Sequence, residues 1–159
     1  AGAHMFSTFA HWPASEPFGI VKSNGLSSMG YALPGAIASA LIEPDRPALA
    51  ITGDGGLAMC LGELATAVER RLNVGVIVMN DSALSLIDIK QQRQQRPSLG
   101  VRYPFVDYAA IAAAFGISSA KVLSADALAS ALDTLKPPFL IDARVDPAGY
   151  GEELERLRG

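Results

Sequence analysis

The stretch Ala48-Leu-Ala-Ile-Thr-Gly-Asp-Gly-Gly56 decides the fold of this 159-residue chain. It begins with an almost continuously apolar run, which is typical of a strand covered on both faces. Glycines on both sides of Asp54 then indicate a tight turn directly after that strand. A buried strand that ends in such a turn favours a parallel sheet with helices on both of its faces.

The flanking sequence repeats this alternation of strand and helix. Three further β-rich runs predict strands, and four segments have helical spacing or helix-capping residues. The predicted strands are 18–22, 48–52, 74–79 and 139–143, and the predicted helices are 31–41, 57–72, 107–115 and 126–135. The sequence therefore predicts an α/β fold, a three-layer α/β/α sandwich with a mainly parallel central sheet, which binds ligands at the carboxyl edge of the strands.

Length and composition limit the function classes. The chain has the length of a single domain, which we place over residues 1–159, and half of its residues are hydrophobic. A net charge of −3 excludes a broad basic surface for nucleic acid or anionic lipid, and no apolar stretch is long enough to span a membrane. The single cysteine, Cys60, excludes a disulfide framework and favours a reducing compartment, so we expect a cytoplasmic protein.

Polar residues follow two of the predicted strands. Asp54 comes after the strand 48–52, and Asn80 follows the strand 74–79. Parallel strands end at the same edge of a sheet, and carboxylate and amide oxygens are ligands that Mg²⁺ accepts. The two side chains could therefore share one cation. The alternative is ordinary turn chemistry, because Gly-Asp-Gly and Asn-Asp are common turn sequences.

Together, these two strand ends resemble the diphosphate motif of thiamine diphosphate (ThDP) enzymes. In that motif, Gly-Asp-Gly is followed by a helix, a strand and an asparagine, as Gly53-Asp54-Gly55 is followed here by Asn80. The segment Asn24–Ala36 is similar to the one that precedes the motif in acetolactate synthases. The resemblance covers nearly the whole chain, which looks like the pyrophosphate-binding, C-terminal domain of such an enzyme.

The resemblance implies a role for individual residues. The side chains of Asp54 and Asn80 and the backbone carbonyl of Ser82 would hold Mg²⁺. Met29 would hold the cofactor in its bent shape, and the carbonyl of Ser27 would accept a hydrogen bond from the aminopyrimidine. The residues implied to contact ThDP are Gly2, Ala3, His4, Ser27, Met29, Gly53, Asp54, Gly55, Gly56, Asn80, Leu84, Ser85 and Leu86.

Three positions need comment. Gly2-Ala3-His4 resembles a Gly-Gln-His sequence of the family, although a tag remnant is an alternative origin for it. Ser85 stands where the family usually has glycine. Lys90 stands where anabolic acetolactate synthases have a tryptophan tied to 2-ketobutyrate preference, so the chain looks like a divergent or catabolic-type member.

The resemblance implies a 2-keto acid decarboxylase or carboligase. In the family, the cofactor lies between this domain and a pyrimidine-binding domain, usually from another subunit, which supplies an activating glutamate. We therefore expect a fragment of a larger homo-oligomeric enzyme, with no catalytic residue in this chain and no activity of the chain alone. One alternative is a subunit of a naturally split decarboxylase of the sulfopyruvate type. Another is a non-catalytic nucleotide-binding module, against which the absence of Gly-x-Gly-x-x-Gly and of a P-loop lysine argues.

Overall fold

The structure is a computed structural model and describes residues 2–23 and 25–156. Its fold is built on one parallel sheet. Its strands are β1 (Ala48–Gly53), β2 (Val74–Asn80), β3 (Ser118–Val122) and β4 (Phe139–Arg144), and they lie side by side in the order β1-β2-β4-β3. The two central strands are the apolar ones, since β2 and β4 are covered on both faces. The predicted α/β fold is confirmed.

Helices cover both faces of this sheet. The described helices are α1 (His4–His11), α2 (Ala32–Ile42), α3 (Asp54–Ala58), α4 (Glu63–Glu69), α5 (Ser85–Arg93), α6 (Tyr108–Ala114), α7 (Ala125–Thr134) and α8 (Tyr150–Arg156), with a 3₁₀ turn at Pro147–Gly149. On one face, Val76 and Leu140 pack against α2, α4 and α6; on the other, Ile77 and Ile141 pack against α7. Side chains of each strand alternate between these two cores, as the period of a strand requires. Among the described residues, no helix is long and apolar enough to cross a membrane.

Three of the predicted strands are confirmed, and the one at 18–22 is wrong. That segment is a turn and an irregular loop, in which Phe18 has a left-handed φ of 58° and the amide of Gly19 donates to the carbonyl of Glu16. The remaining sheet strand is β3, which was not predicted. It pairs only with β4 and contains Lys121 and two serines, so it lacks an apolar run.

The predicted helix 57–72 is two helices in the structure. Asp54 already begins α3, which ends at Ala58, and reverse turns around Gly62 separate it from α4. The other three predicted helices are present within a few residues. Asp107 caps α6 as expected, because its Oδ1 accepts the backbone amide of Ala110 at 3.0 Å. Helices α1, α5 and α8 were not predicted.

Candidate functional site

A cleft of about 370 Å³ lies at the carboxyl edge of β1 and β2. Its walls come from the start of α1, the loop before α2, the turn after β1, the start of α5 and the first residue of α8. All residues implied to contact the cofactor line this cleft except Asn80: they are Gly2, Ala3, His4, Ser27, Met29, Gly53, Asp54, Gly55, Gly56, Leu84, Ser85 and Leu86. Ser82 does not line it. The predicted set is thus brought together by the fold, although its role in binding stays a prediction.

The carboxylate of Asp54 is held rigidly at the start of α3. Its Oδ1 accepts hydrogen bonds from the Gly55 amide and the Tyr103 hydroxyl, both at 2.7 Å, and its Oδ2 accepts the Ser82 amide at 2.7 Å. Only 2% of the residue is exposed. These donors hold a negative charge at the cleft without a cationic partner in the described chain.

Two tyrosines outside the predicted set support Asp54. Tyr103 donates to its carboxylate, and the hydroxyl of Tyr108 donates to its backbone carbonyl at 2.9 Å. Burial and the charges of Asp54 and Asp142 raise the pKa of Tyr108 to about 12. Burial and the hydrogen bond to Asp54 raise the pKa of Tyr103 further. Both phenols therefore remain protonated donors at neutral pH. Sequence reasoning missed them because they are far from Asp54 in the chain and follow no motif.

Asn80 points away from the cleft. Its Nδ2 donates to Oδ1 of Asp142 at 2.9 Å and to the carbonyl of Val106 at 3.0 Å, and its Oδ1 lies 3.4 Å from a guanidinium nitrogen of Arg144. The side chain is fully buried. Met79, the preceding residue, lines the cleft, and consecutive side chains of a strand point to opposite faces. The structure therefore directs Asn80 into the core on the other face of β2.

Asp81 lines the cleft in its place. Its Oδ2 accepts the hydroxyl of Ser85 at 2.5 Å, and its Oδ1 accepts the amide of Ala83 at 3.1 Å. Burial raises the pKa of Asp81, and the negative charge of Asp54 raises it as well. Two carboxylates thus face one cleft, and the charge of Asp54 disfavours ionisation of Asp81, which is an arrangement that a divalent cation relieves. The alternation of side chains along β2 was the sequence signal for Asp81.

Two glycines of the turn pack closely against neighbouring side chains. A Cβ on Gly55 would lie 2.6 Å from Cδ2 of Leu84, and a Cβ on Gly56 would lie 2.8 Å from Oγ1 of Thr52. Leu84 immediately precedes α5, and Ser85 and Leu86 are its first two residues. Gly55 and Leu84 therefore bring the turn after β1 and the start of α5 into close contact.

His4 closes the cleft beside β1. A Cβ on Gly53 would lie 3.1 Å from ring atoms of His4, so the imidazole packs directly on the backbone of the turn. Burial lowers the pKa of His4 to about 4, and the ring is neutral at neutral pH. His4 is therefore packed into the fold.

The donor set fits a magnesium ion with a phosphate ligand. Among residues 2–23 and 25–156, no three His, Cys, Asp or Glu side chains converge, so a cation cannot be enclosed by those side chains alone. Mg²⁺ is commonly bound through one or two carboxylates together with phosphate oxygens and water. Asp54 and Asp81 supply two carboxylates, and they line the cleft together with Gly53, Gly55 and Gly56.

Comparison with known proteins identifies relatives of the whole chain. It is 37% identical over 150 residues to the acetolactate synthase isozyme 1 large subunit of Escherichia coli (strain K12), covering 91% of this chain and 27% of that protein. It is 31% identical over 148 residues to the acetolactate synthase of Bacillus subtilis (strain 168), covering 91% of this chain and 26% of that protein.

A third relative has no assigned reaction in its name. It is a putative thiamine pyrophosphate-containing protein, YdaP, of Bacillus subtilis (strain 168), and it is 38% identical over 121 residues, covering 76% of this chain and 21% of that protein. The chain thus spans about a quarter of the length of these relatives.

The sequence pattern of a protein family also matches almost the entire fold. That family is described as the thiamine pyrophosphate enzyme, C-terminal TPP binding domain, where TPP is another name for ThDP, and the match covers residues 1–143. It includes the N-terminal residues that line the cleft, the glycine turn at Asp54 and the four strands except Arg144, the last residue of β4. The chain belongs to the family of C-terminal thiamine pyrophosphate-binding domains of thiamine pyrophosphate enzymes.

Proposed function

We propose that this chain binds the diphosphate of ThDP through Mg²⁺ as part of a 2-keto acid decarboxylase or carboligase of acetolactate synthase type. The observation that carries the proposal is the fixed carboxylate of Asp54, which faces a cleft lined by nearly all residues implied to contact the cofactor. When bound, ThDP supplies the nucleophilic carbon and the electron sink for cleavage next to a keto group. The residues of this chain hold and orient it.

Asp54 is the first side-chain ligand of the proposed cation. Asn80 and the carbonyl of Ser82 are implied by the family resemblance, but Oδ1 of Asn80 faces the Arg144 guanidinium, and the carbonyl of Ser82 accepts the Tyr103 amide at 3.2 Å. Asp81 lines the cleft and has two carboxylate oxygens near the same edge of the sheet. We therefore favour Asp81 as the second side-chain ligand.

Apolar residues shape the part of the cleft beyond the turn. Met29 lines it, and its Cε lies 3.6 Å from the position of a Cβ on Gly55. This places a flexible thioether directly beside the turn proposed to hold the diphosphate. Met29 is thus positioned to support a bent cofactor, while Leu84 and Leu86 exclude water from its ring.

The substrate is proposed to be a small 2-keto acid. Lys90, on α5, is the only cationic side chain among the described residues that line the cleft, since His4 is neutral at neutral pH. Lys90 has no ion pair within the described chain. An ammonium group in this position suits the carboxylate of such a substrate.

A second domain is needed to complete the proposed enzyme. No glutamate of the described chain lines the cleft, so the activating glutamate is proposed to come from a pyrimidine-binding domain. Apolar side chains are exposed close to the cleft, with Leu26 96% and Ile87 42% exposed. Such exposure is typical of a surface that another domain covers. We propose that this contact forms in a cytoplasmic homo-oligomer.

Cofactor binding by the assembled enzyme, meaning this chain together with its pyrimidine-binding domain, tests the proposal. Calorimetry should show Mg²⁺-dependent ThDP binding that Asp54→Ala weakens by about 100-fold or more, since a ligand of the bridging cation is lost. Asp133→Ala, which removes an exposed carboxylate on α7, is the matched control. Unchanged affinity in Asp54→Ala would show that Asp54 is only a turn residue.

A further inference from the structure

Helix α8 is fixed against the elements that form the cleft. The guanidinium of Arg93, on α5, donates to the carbonyl of Gly151 at 3.2 Å and to the carboxylate of Glu155 at 3.0 Å. The hydroxyl of Ser7, on α1, donates to the carboxylate of Glu153. Leu154 is buried. The first residue of α8, Tyr150, is therefore held in a defined position rather than carried on a loose C-terminal segment.

The side chain of Tyr150 lines the cleft and is only 9% exposed. Its hydroxyl takes part in no hydrogen bond among the described residues, whereas the hydroxyls of Tyr103 and Tyr108 both donate to Asp54. No fully buried side-chain oxygen or nitrogen of the described chain lacks a partner. The Tyr150 hydroxyl is therefore not fully buried, and it is an uncommitted donor on a residue that lines the cleft.

The surroundings of this hydroxyl favour an anionic ligand bound next to a cation. Burial raises the pKa of Tyr150, and the negative charges of Asp81 and Asp54 raise it as well, so the phenol stays protonated. Both carboxylates can only accept hydrogen bonds when ionised. A cation held by the carboxylates of Asp54 and Asp81 would bring the oxygens of an anionic ligand close to Tyr150. Those oxygens accept hydrogen bonds, and the Tyr150 hydroxyl can donate one.

We infer that Tyr150 is a cofactor-binding residue whose hydroxyl donates a hydrogen bond to an oxygen of the ThDP diphosphate. The inference rests on the proposed function. It assigns a contact to a segment outside residues 1–143, the stretch that the family pattern matches, so the glycine turn and the motif around it do not imply it. The C-terminal helix then has a direct part in holding the cofactor.

Replacing Tyr150 with phenylalanine tests the inference, because the ring is kept and only the hydroxyl is lost. In the assembled enzyme, Tyr150→Phe should raise the Kd of ThDP, measured by calorimetry at saturating Mg²⁺, by about tenfold, the usual cost of a hydrogen bond to a charged group. The KM for the 2-keto acid should not change. Tyr31→Phe is the matched control, since Tyr31 does not line this cleft.

Thiamine, which has no diphosphate, separates a lost contact from a structural defect. Its binding, measured by competition, should be the same in the wild type and in Tyr150→Phe, whereas a general distortion of the cleft would weaken both ligands by the same factor and overturn the inference. An unchanged Kd of ThDP, or a change confined to the KM of the 2-keto acid, would also overturn it. Failure of the wild type to bind ThDP would instead remove the proposed function itself.

Discussion

The side-chain amide of Asn80 donates a 2.9 Å hydrogen bond to the carboxylate of Asp142, and both side chains are completely buried. The other carboxylate oxygen of Asp142 accepts the backbone amide of Tyr108 at 3.0 Å, and the hydroxyl of Tyr108 donates to the carbonyl of Asp54. A continuous series of hydrogen bonds thus runs from the two central strands through the start of α6 to the turn at the cleft.

This arrangement predicts opposite effects for two adjacent residues. Asn80→Ala should lower the free energy of unfolding by about 2 kcal/mol, because it leaves the buried Asp142 carboxylate short of a donor. Asp81→Asn should leave stability nearly unchanged but weaken Mg²⁺-dependent ThDP binding by about tenfold or more, because a cation ligand loses its charge. Urea unfolding and calorimetry on each variant measure the two effects. A large loss of cofactor affinity in a stable Asn80→Ala protein would restore Asn80 as the ligand.

Met29 should affect turnover more than affinity. If it supports a bent cofactor, Met29→Ala should lower kcat by about tenfold or more while the Kd of ThDP changes little, because the reacting groups lose their alignment. Met29→Leu, which nearly conserves the volume, is the control and should retain most of the activity. Steady-state kinetics of the assembled enzyme that show the same kcat for Met29→Ala and the wild type would exclude this role.

Gly75 leaves no room for a side chain in the middle of the sheet. A Cβ there would lie 2.3 Å from Cζ of Phe139 on the neighbouring strand β4, so Gly75→Ala should destabilise the fold by about 1–3 kcal/mol. In a Phe139→Ala background the same substitution should cost almost nothing, because the ring is gone. A double-mutant cycle by urea unfolding measures the coupling, and equal costs in both backgrounds would contradict the packing argument.

His4 should make stability depend on pH in the mildly acidic range. Its pKa is lowered from 6.5 to about 4 in the folded chain, so the unfolded state binds the proton first as the pH falls. Stability is therefore complete above about pH 6.5 and is lost progressively towards pH 4. Between pH 7.5 and pH 5, the wild type should lose about 2 kcal/mol more than His4→Gln.

Urea unfolding at several pH values measures this difference. The control is His11→Gln, which changes an exposed histidine and should behave as the wild type does. If His4→Gln and the wild type lose stability equally between these pH values, the ring of His4 is protonated as easily in the folded chain as in the unfolded one.

The sequence was informative where local composition and structure agree. β2 and β4 were predicted because central parallel strands need apolar residues on both faces, and β1 was predicted from its apolar run although it lies at the edge of the described sheet. Asp54 was found because glycines flank it. β3 was not predicted because an edge strand with a solvent-facing side tolerates Lys121 and serines, and it therefore lacks an apolar run. The strand prediction for 18–22 was wrong because a composition rich in β-forming residues does not supply a neighbouring strand to pair with.

The candidate site was predictable only as far as its residues are close in the chain. The choice between Asn80 and Asp81 as the second cation ligand depends on the direction in which each side chain points at the end of β2. A comparison of motifs alone does not show this direction. The hydroxyl of Tyr103 reaches Asp54 from 49 residues away, and Tyr150 arrives from another helix altogether. Contacts of that kind are set by packing and have no local signal.

His4 and Tyr150, from the first and last described helices, both line the cleft, and their helices α1 and α8 are joined by the hydrogen bond between Ser7 and Glu153. The complete lining of the cleft therefore includes residues of both α1 and α8. A ligand that binds in this cleft therefore stabilises the whole fold. When it is present at 100 times its Kd, it adds about 2.7 kcal/mol to the free energy of unfolding. We therefore expect loss of the proposed cofactor to destabilise the packing of α1 and α8 together.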